Sequence, residues 1–220
     1  MKSIFVFVLM VSLLPVRAQA EDCGSLQNHY GPFDYRVPSN RRDKLHRVER
    51  SHFSDVTYRF ALAGASSKEY YKHFNTGNKA KNTAIPSDID YTLRAFPNHR
   101  KALYAMSEYQ RVVSSDNRIN SGTYRDAECY YIRALQFVPD DSKVLMLYGM
   151  HFHKRKQYER AREKYQLAEE SGEKGADLFY NLGLVNYHLG IMDEAQKYAD
   201  KAYKMGYPLK GLSKMLRGEK

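Results

Sequence analysis

The sequence predicts an all-α repeat protein, on the strength of two observations. Residue types recur at intervals of 34 positions, and a fixed period of this length is typical of a repeat architecture. Large apolar residues between the recurring positions follow helical spacing, which indicates buried stripes on helices. Small residues show the period most clearly, as Gly149 and Gly183, as Ala127, Ala161 and Ala195, and as Ala134, Ala168 and Ala202.

The composition agrees with a folded domain and excludes several other classes. Of the 220 residues, 43% are hydrophobic, which excludes a wholly disordered chain. The chain holds only 7 Pro and 13 Gly residues, which excludes collagen-like and proline-rich fibrous proteins. The chain has 35 Lys and Arg residues but only 25 Asp and Glu residues, so its formal net charge is +10. Anionic partners therefore have to be considered.

Residues 1–20 have the three parts of an export signal. Lys2 supplies the positive charge, residues 4–16 form an apolar run, and Ala18-Gln19-Ala20 is a small-residue cleavage site. The run is shorter than the roughly 20 residues needed to span a bilayer. We therefore predict cleavage after Ala20 and a periplasmic or secreted mature protein. An uncleaved membrane anchor is the alternative.

The two cysteines, Cys23 and Cys129, lie 106 positions apart. In an oxidising compartment, paired thiols become disulfides. We expect one bridge that ties an N-terminal tether segment, residues 21–51, onto a solenoid over residues 52–220. The alternative is one buried free thiol and one mobile thiol. A catalytic thiol is not expected, since no CxxC pair and no activating neighbour is present.

The two clearest repeats cover residues 143–176 and 177–208. Close packing of two helices needs small residues, so Gly149 is expected near Ala161, and Gly183 near Ala195. Residues 209–217 then predict a capping helix, because the last repeat of a solenoid must cover its apolar face. Its inward residues are expected to be Leu209, Leu212 and Leu216.

Weaker repeat units precede these two. One has its first helix at 99–113 and its second helix at 124–137. Residues 90–98 end another second helix, whose partner is a first helix at 52–62. The polar residues 65–87 between them, with Gly77 and Pro86, are an insertion that we expect to form a loop or lid.

This pattern resembles the tetratricopeptide repeat (TPR) family, whose unit is a 34-residue helix-turn-helix. The likeness rests on Gly149 and Gly183 within the first helices, on Tyr124 and Tyr158 before the second helices, and on the paired alanines of the second helices; the third unit departs from it with Met192. It implies an all-α TPR solenoid of about three to four repeats with a C-terminal capping helix. Segments at 23–26, 30–36, 180–184 and 206–209 also look like a group of exported bacterial TPR proteins, a likeness that supports fold and compartment.

The family resemblance also implies a concave groove lined by first helices. The groove positions carried over to this chain are Lys143, Met146, Met150, His153, Lys154, Asp177, Tyr180, Leu184, Tyr187 and His188. Tyr104, Glu108 and Arg111 extend the set if the earlier first helix keeps the same register. Within it, Met150, Tyr180, Leu184 and Tyr187 are expected to supply affinity, and Lys143 and Lys154 to orient an acidic partner segment. The alternative is that the insertion or the tether segment fills the groove in cis.

The sequence therefore predicts an exported, non-catalytic scaffold that binds a protein or peptide in its groove, within an envelope assembly. No cofactor, metal or nucleic acid is expected. His151 and His153 stand two apart on a helix and face different sides, and no nucleotide-binding or hydrolase motif occurs. The alternative function is weak association of the basic surface with anionic envelope polymers or membrane head groups. Its sequence basis is short basic clusters such as Lys154-Arg155-Lys156, which an ordinary solvated face also explains.

Overall fold

The computed structural model describes residues 23–65, 69, 85–113 and 125–219. The predicted export signal, most of the 65–87 insertion and Tyr124 lie outside these residues. Every regular element within them is helical. In chain order they are α1 (Pro38–Asn40), a π-helical turn (Arg41–Leu45), α2 (His46–Ser51), α3 (Asp55–Leu62), α4 (Ile85–Ala95), α5 (Arg100–Val113), α6 (Ala127–Phe137), α7 (Ser142–His153), α8 (Tyr158–Glu170), α9 (Ala176–His188), α10 (Met192–Lys204) and α11 (Gly211–Leu216).

The helices pack as consecutive pairs, which confirms the predicted all-α solenoid. The pairs are α3 with α4, α5 with α6, α7 with α8, and α9 with α10. The first helices α3, α5, α7 and α9 also pack against one another in succession, whereas second helices of successive pairs make at most marginal contact within the described chain. The first helices therefore form the tighter, inner layer of a curved stack.

The small and aromatic residues that repeat in the sequence form the core. Tyr131 and Tyr165 are fully buried. A Cβ added at Gly149 would overlap the ring of Tyr165 on α8, so the glycine makes room for this buried aromatic residue. The expected approach of Ala161 to Gly149 stays a prediction. A Cβ at Gly183 would lie 3.3 Å from the backbone oxygen of Ala195, in line with the expected close approach there.

The C-terminal cap α11 covers the last pair, but its contacts differ from the prediction. Leu212 is fully buried and Leu216 packs partly against the core. Leu209 is 57% exposed, so the expectation that it points inward is wrong. The reason is that α11 begins only at Gly211, so Leu209 lies in a non-helical segment and does not share the helical register of Leu212.

The predicted disulfide is confirmed: Cys23 is bridged to Cys129 on α6, with their Cα atoms 5.1 Å apart. The side chain of Arg133, which is 2% exposed, reinforces the joint. Its Nη1 donates hydrogen bonds to the backbone oxygens of Cys23 at 3.2 Å and Gly24 at 2.8 Å. The start of the tether is therefore held by a covalent bond and a buried guanidinium together.

A second joint fixes the tether on the turn between α4 and α5, and Asn98 is its centre. Asn98 is fully buried. Its Oδ1 accepts from the backbone N–H of Tyr35 at 2.9 Å. Its Nδ2 donates to Asp34 at 2.8 Å and to Asp141, the N-cap of α7, at 3.0 Å. One amide side chain thus connects the tether, the α4–α5 turn and the next repeat.

Replacement of both Cys23 and Cys129 by alanine should destabilise the mature protein. The bridge closes a long loop, so its removal restores chain entropy to the unfolded state, worth about 4–5 kcal/mol at most. Urea unfolding of oxidised wild type and of the double variant measures the difference. Wild type with reductant present throughout should match the variant, and equal midpoints for oxidised wild type and the variant would contradict the prediction.

Asn98→Ala should lower the free energy of unfolding by about 1–3 kcal/mol, because it leaves buried donors and acceptors without partners. Asn28→Ala is the matched control, since Asn28 makes one half-buried bond, to the backbone oxygen of Tyr30. Chemical unfolding of both variants gives the comparison. An equal, small loss in both would show that the Asn98 joint contributes little.

Candidate peptide-binding face

The exposed side of the four first helices is named the inner face here. On α5 it carries a stripe of four residues at helical spacing: Lys101, Tyr104, Glu108 and Arg111. Residues three and four apart lie on one side of a helix, so the stripe is continuous. The register that the sequence left open for α5 therefore places Tyr104, Glu108 and Arg111 together.

An ion cluster joins this stripe to α7. The Nζ of Lys154 donates to the hydroxyl of Tyr104 at 2.7 Å and lies 2.9 Å from the carboxylate of Glu108. Arg111 binds the same carboxylate at 2.9 Å. Burial alone would raise the pKa of Glu108, but the hydrogen bonds from Arg111 and Lys154 outweigh it, so the pKa lies below its usual value. Within the described part of the chain, one carboxylate between two cations leaves this cluster with a net positive charge.

On α7 the other predicted groove residues are less open than the sequence suggests. Met146 is buried, and Met150 packs partly against the core. Lys143 forms an ion pair with Glu173 at 2.7 Å, so its charge is already balanced within the chain. Of the two lysines expected to orient a partner, Lys154 is thus the one that belongs to a net positive cluster.

The C-terminal segment covers one end of the predicted groove on α9. Tyr180 is only 7% exposed, its ring stacks on Tyr207 at 4.3 Å, and its hydroxyl accepts from the backbone N–H of Leu212 at 3.3 Å. Tyr180 is therefore closed to a partner in this structure. Leu184 and Tyr187 are half-buried and remain on the open part of the face. The alternative considered from the sequence was that the tether or the insertion fills the groove. In the structure, the C-terminal segment covers this end of it.

Asp177 and His188 stand at the two ends of α9 and serve local roles. A carboxylate oxygen of Asp177, in the first turn, accepts from the backbone N–H of Leu178 at 3.1 Å. His188, in the last turn, is exposed and its ring stacks on Tyr158 at 4.5 Å. Both residues lie at the rim of the inner face.

Two histidines of α7 are held neutral. His151 is buried with its Nδ1 3.0 Å from the hydroxyl of Ser107, and the Nδ1 of His153 lies 3.3 Å from the hydroxyl of Tyr165. Burial lowers the pKa of His151 to about 3 and that of His153 to about 4. Both rings therefore act as neutral hydrogen-bonding groups in the core and at its edge.

A cleft of about 370 Å³ opens where the tether meets α3 and α5, at the N-terminal end of the inner face. Its floor includes the buried ring of Phe53, and Tyr58 stands against that ring edge-to-face with centroids 6.1 Å apart. Sequence reasoning missed this cleft, because its walls come from the docking of α2, which no repeat pattern predicts. The full lining is His46, Glu49, Arg50, Phe53, Ser54, Asp55, Tyr58 and Lys101.

No group of three His, Cys, Asp or Glu side chains among the described residues is placed to hold a metal ion. None of the helices that the structure describes is both long and apolar enough to cross a membrane.

Residues 115–176 match the family model of the tetratricopeptide repeat. In the described chain this range covers α6, α7 and α8. No curated protein matches the chain.

Acidification should destabilise the protein through His151 and His153. Both pKa values lie below the unfolded value near 6.5, so the unfolded state binds more protons as the pH falls below about 6.5. Stability is then full above that pH and falls by up to about 2 kcal/mol per histidine by pH 5. Urea unfolding at pH 7.5 and pH 5 measures this loss.

The variant with His151→Gln and His153→Gln should show a smaller loss between the two pH values. His29→Gln, at an exposed position, is the control and should keep the wild-type loss. Carboxylates with lowered pKa values, such as Glu108, titrate below pH 5 and so do not contribute to the loss of stability between pH 7.5 and pH 5. An unchanged loss in the double variant would contradict the assignment.

Proposed function

We propose that this protein is an exported, non-catalytic scaffold that binds a protein or peptide segment along its inner face. The match of residues 115–176 to the tetratricopeptide repeat supports this, because such repeats generally act as protein-interaction scaffolds. The observation that carries this proposal is a row of half-buried aromatic and apolar side chains on the first helices. They are Tyr58, Tyr104, Met150, Leu184 and Tyr187.

These side chains suit binding because the core already positions them. Leu184 and Tyr187 pack partly against the buried cluster and leave the rest of their surface open. A tyrosine held this way offers a large contact area and loses little side-chain entropy when a partner arrives. Affinity is therefore proposed to reside in Met150, Leu184 and Tyr187, with Tyr180 acting within the C-terminal cap.

Export is proposed on two grounds. Residues 1–20 have the organisation of a cleavable signal peptide, with cleavage after Ala20. The Cys23–Cys129 bridge fits an oxidising compartment, because structural disulfides persist there and are rare in the cytosol. The working place of the scaffold would then be the periplasm or the outside of the cell, within an envelope assembly.

A second candidate function rests on the outward face of the tether helices. Leu45 and Val48 point into the protein, while Arg42, Arg47 and Arg50 are exposed. Such a face attracts anionic polymers or head groups through long-range electrostatics. This mode of binding falls steeply with added salt and does not depend on the inner face.

The variant with Leu184→Ala and Tyr187→Ala should lose partner capture. Truncation of two contact residues at the centre of an interface weakens binding by about 2–4 kcal/mol, a loss of roughly thirtyfold or more. The measurement is crosslinking capture with the mature protein in its native envelope, followed by mass spectrometry of the bound proteins, at low and at high salt.

The matched control carries Leu167→Ala and Met205→Ala. Both residues are exposed and apolar, and they lie away from the inner face, Leu167 on α8 and Met205 directly after α10. It should capture the same partner as wild type, and both variants should keep their helical circular dichroism. Capture that survives in the inner-face variant but disappears in high salt would favour the tether surface instead.

A further inference from the structure

We infer that the segment bound by the inner face is acidic and carries one ring-bearing side chain, which enters the cleft at the N-terminal end. This inference rests on the proposed function and names the chemistry of its partner. It is carried by the separation of two kinds of site along one face: a net positive stripe on α5 and α7, and a charge-balanced aromatic cleft beside it.

The stripe is positive because its cations outnumber its carboxylates. Among the described residues, Arg111 and Lys154 share the carboxylate of Glu108, which leaves one positive charge. Lys101, whose Nζ lies 6.0 Å from the centre of the Tyr58 ring, stands between the stripe and the cleft, and its charge is counted once, with the cleft. The guanidinium of Arg155 adds a further positive charge. The atoms to which it donates, the hydroxyl and backbone oxygens of Ser107, are neutral and do not balance it. Potentials of this kind select partners of opposite sign and speed their encounter.

The C-terminal half of the face differs. The charge of Lys143 is balanced by Glu173, and α9 contributes Asp177 together with the apolar surface of Leu184 and the ring of Tyr187. Attraction for carboxylates is therefore concentrated on α5 and the end of α7, which gives a bound segment a preferred position.

The cleft, unlike the positive stripe, suits an uncharged side chain. Its rim holds Arg50 and Lys101 against Glu49 and Asp55, so the formal charges of these four side chains cancel. Glu49 is also engaged, because the Nε2 of the buried His99 lies 3.2 Å from its carboxylate. A charged side chain of the partner would therefore gain little binding free energy from this rim.

An aromatic side chain would bind in this cleft more favourably than a charged one. The floor presents the ring of Phe53, which His99 and Tyr58 already meet edge-to-face at 5.2 Å and 6.1 Å between centroids. Aromatic rings prefer such offset or edge-to-face arrangements, and a hydrophobic anchor in a pocket is a common source of affinity. The cleft therefore fits a neutral ring.

One short segment can reach both sites. Lys101 lines the cleft and also begins the stripe, three residues before Tyr104. Tyr58 lines the cleft too, and it is close enough to Tyr104 and Lys154 for their charges to affect its pKa, which is raised mainly by burial. The cleft and the stripe are thus neighbours on one continuous surface.

Selection of random displayed peptides on the mature protein tests the inference without presupposing a partner. We expect enriched sequences with several aspartates or glutamates beside one phenylalanine, tyrosine or tryptophan. Neutral or basic enriched sequences that still need Leu184 and Tyr187 would overturn the inference and leave the proposed function standing. Equal recovery on wild type and on the Leu184→Ala, Tyr187→Ala variant would overturn both.

A direct binding measurement then assigns the residues. The probe is a short fluorescein-labelled peptide of aspartate and glutamate with one central phenylalanine, followed by fluorescence anisotropy. Lys101→Gln should weaken binding about tenfold, as expected for loss of one hydrogen bond to a charged group. Lys101→Arg should restore it, and Lys204→Gln on the exposed side of α10 is the matched control.

Two matched peptides separate the two parts of the site. Replacement of the phenylalanine by alanine should weaken binding to wild type, and replacement of the acids by lysine should abolish it. The affinity of the acidic peptide should also fall as salt rises. Equal binding of acidic and lysine peptides, or no effect of Lys101→Gln, would overturn the assignment of the stripe.

Discussion

An open stack of helical pairs has an apolar surface at each end, and the rest of this structure depends on how those two ends are closed. At the N-terminal end, the tether lays Leu45 and Val48 against Ala95 and Phe96, at the end of α4. Hydrophobic contact of this size would not hold a terminal segment against its conformational entropy. The disulfide and the hydrogen bonds of Arg133 and Asn98 supply that restraint, since each joins the tether to a different part of the first repeats.

Closure of the ends also shapes the inner face. The docked tether creates the cleft, because α2 forms one wall of it and α3 and α5 form the other. At the opposite end, α11 and Tyr207 cover Tyr180, which shortens the face by about one turn of α9. The usable surface therefore runs from the cleft to Leu184 and Tyr187. Its length follows from the caps as much as from the number of repeats.

The sequence was informative wherever the answer depended on helical register. The 34-residue period predicts the pairing of α7 with α8 and of α9 with α10, and two cysteines behind a predicted export signal predict one bridge; the helix pairing and the bridge are both confirmed. Register also shows on which side of a helix a residue lies, but not what covers that side. For this reason Tyr180 looked like a groove residue, and Leu209 like a cap residue. The cleft could not be predicted either, because it depends on how a non-repeating segment docks.

The arrangement around Glu108 explains why cations on this face can be selective rather than merely attractive. A lysine on an open surface moves through many rotamers, and ordering it opposes binding. Here the nearly buried carboxylate of Glu108 already orders Lys154 and Arg111, and Tyr104 fixes Lys154 from a second direction. A partner carboxylate would meet donors whose positions are already set, because Glu108 holds both cations in place. Glu108, although it has the same sign as the inferred partner, is thus the residue that prepares the face to recognise it.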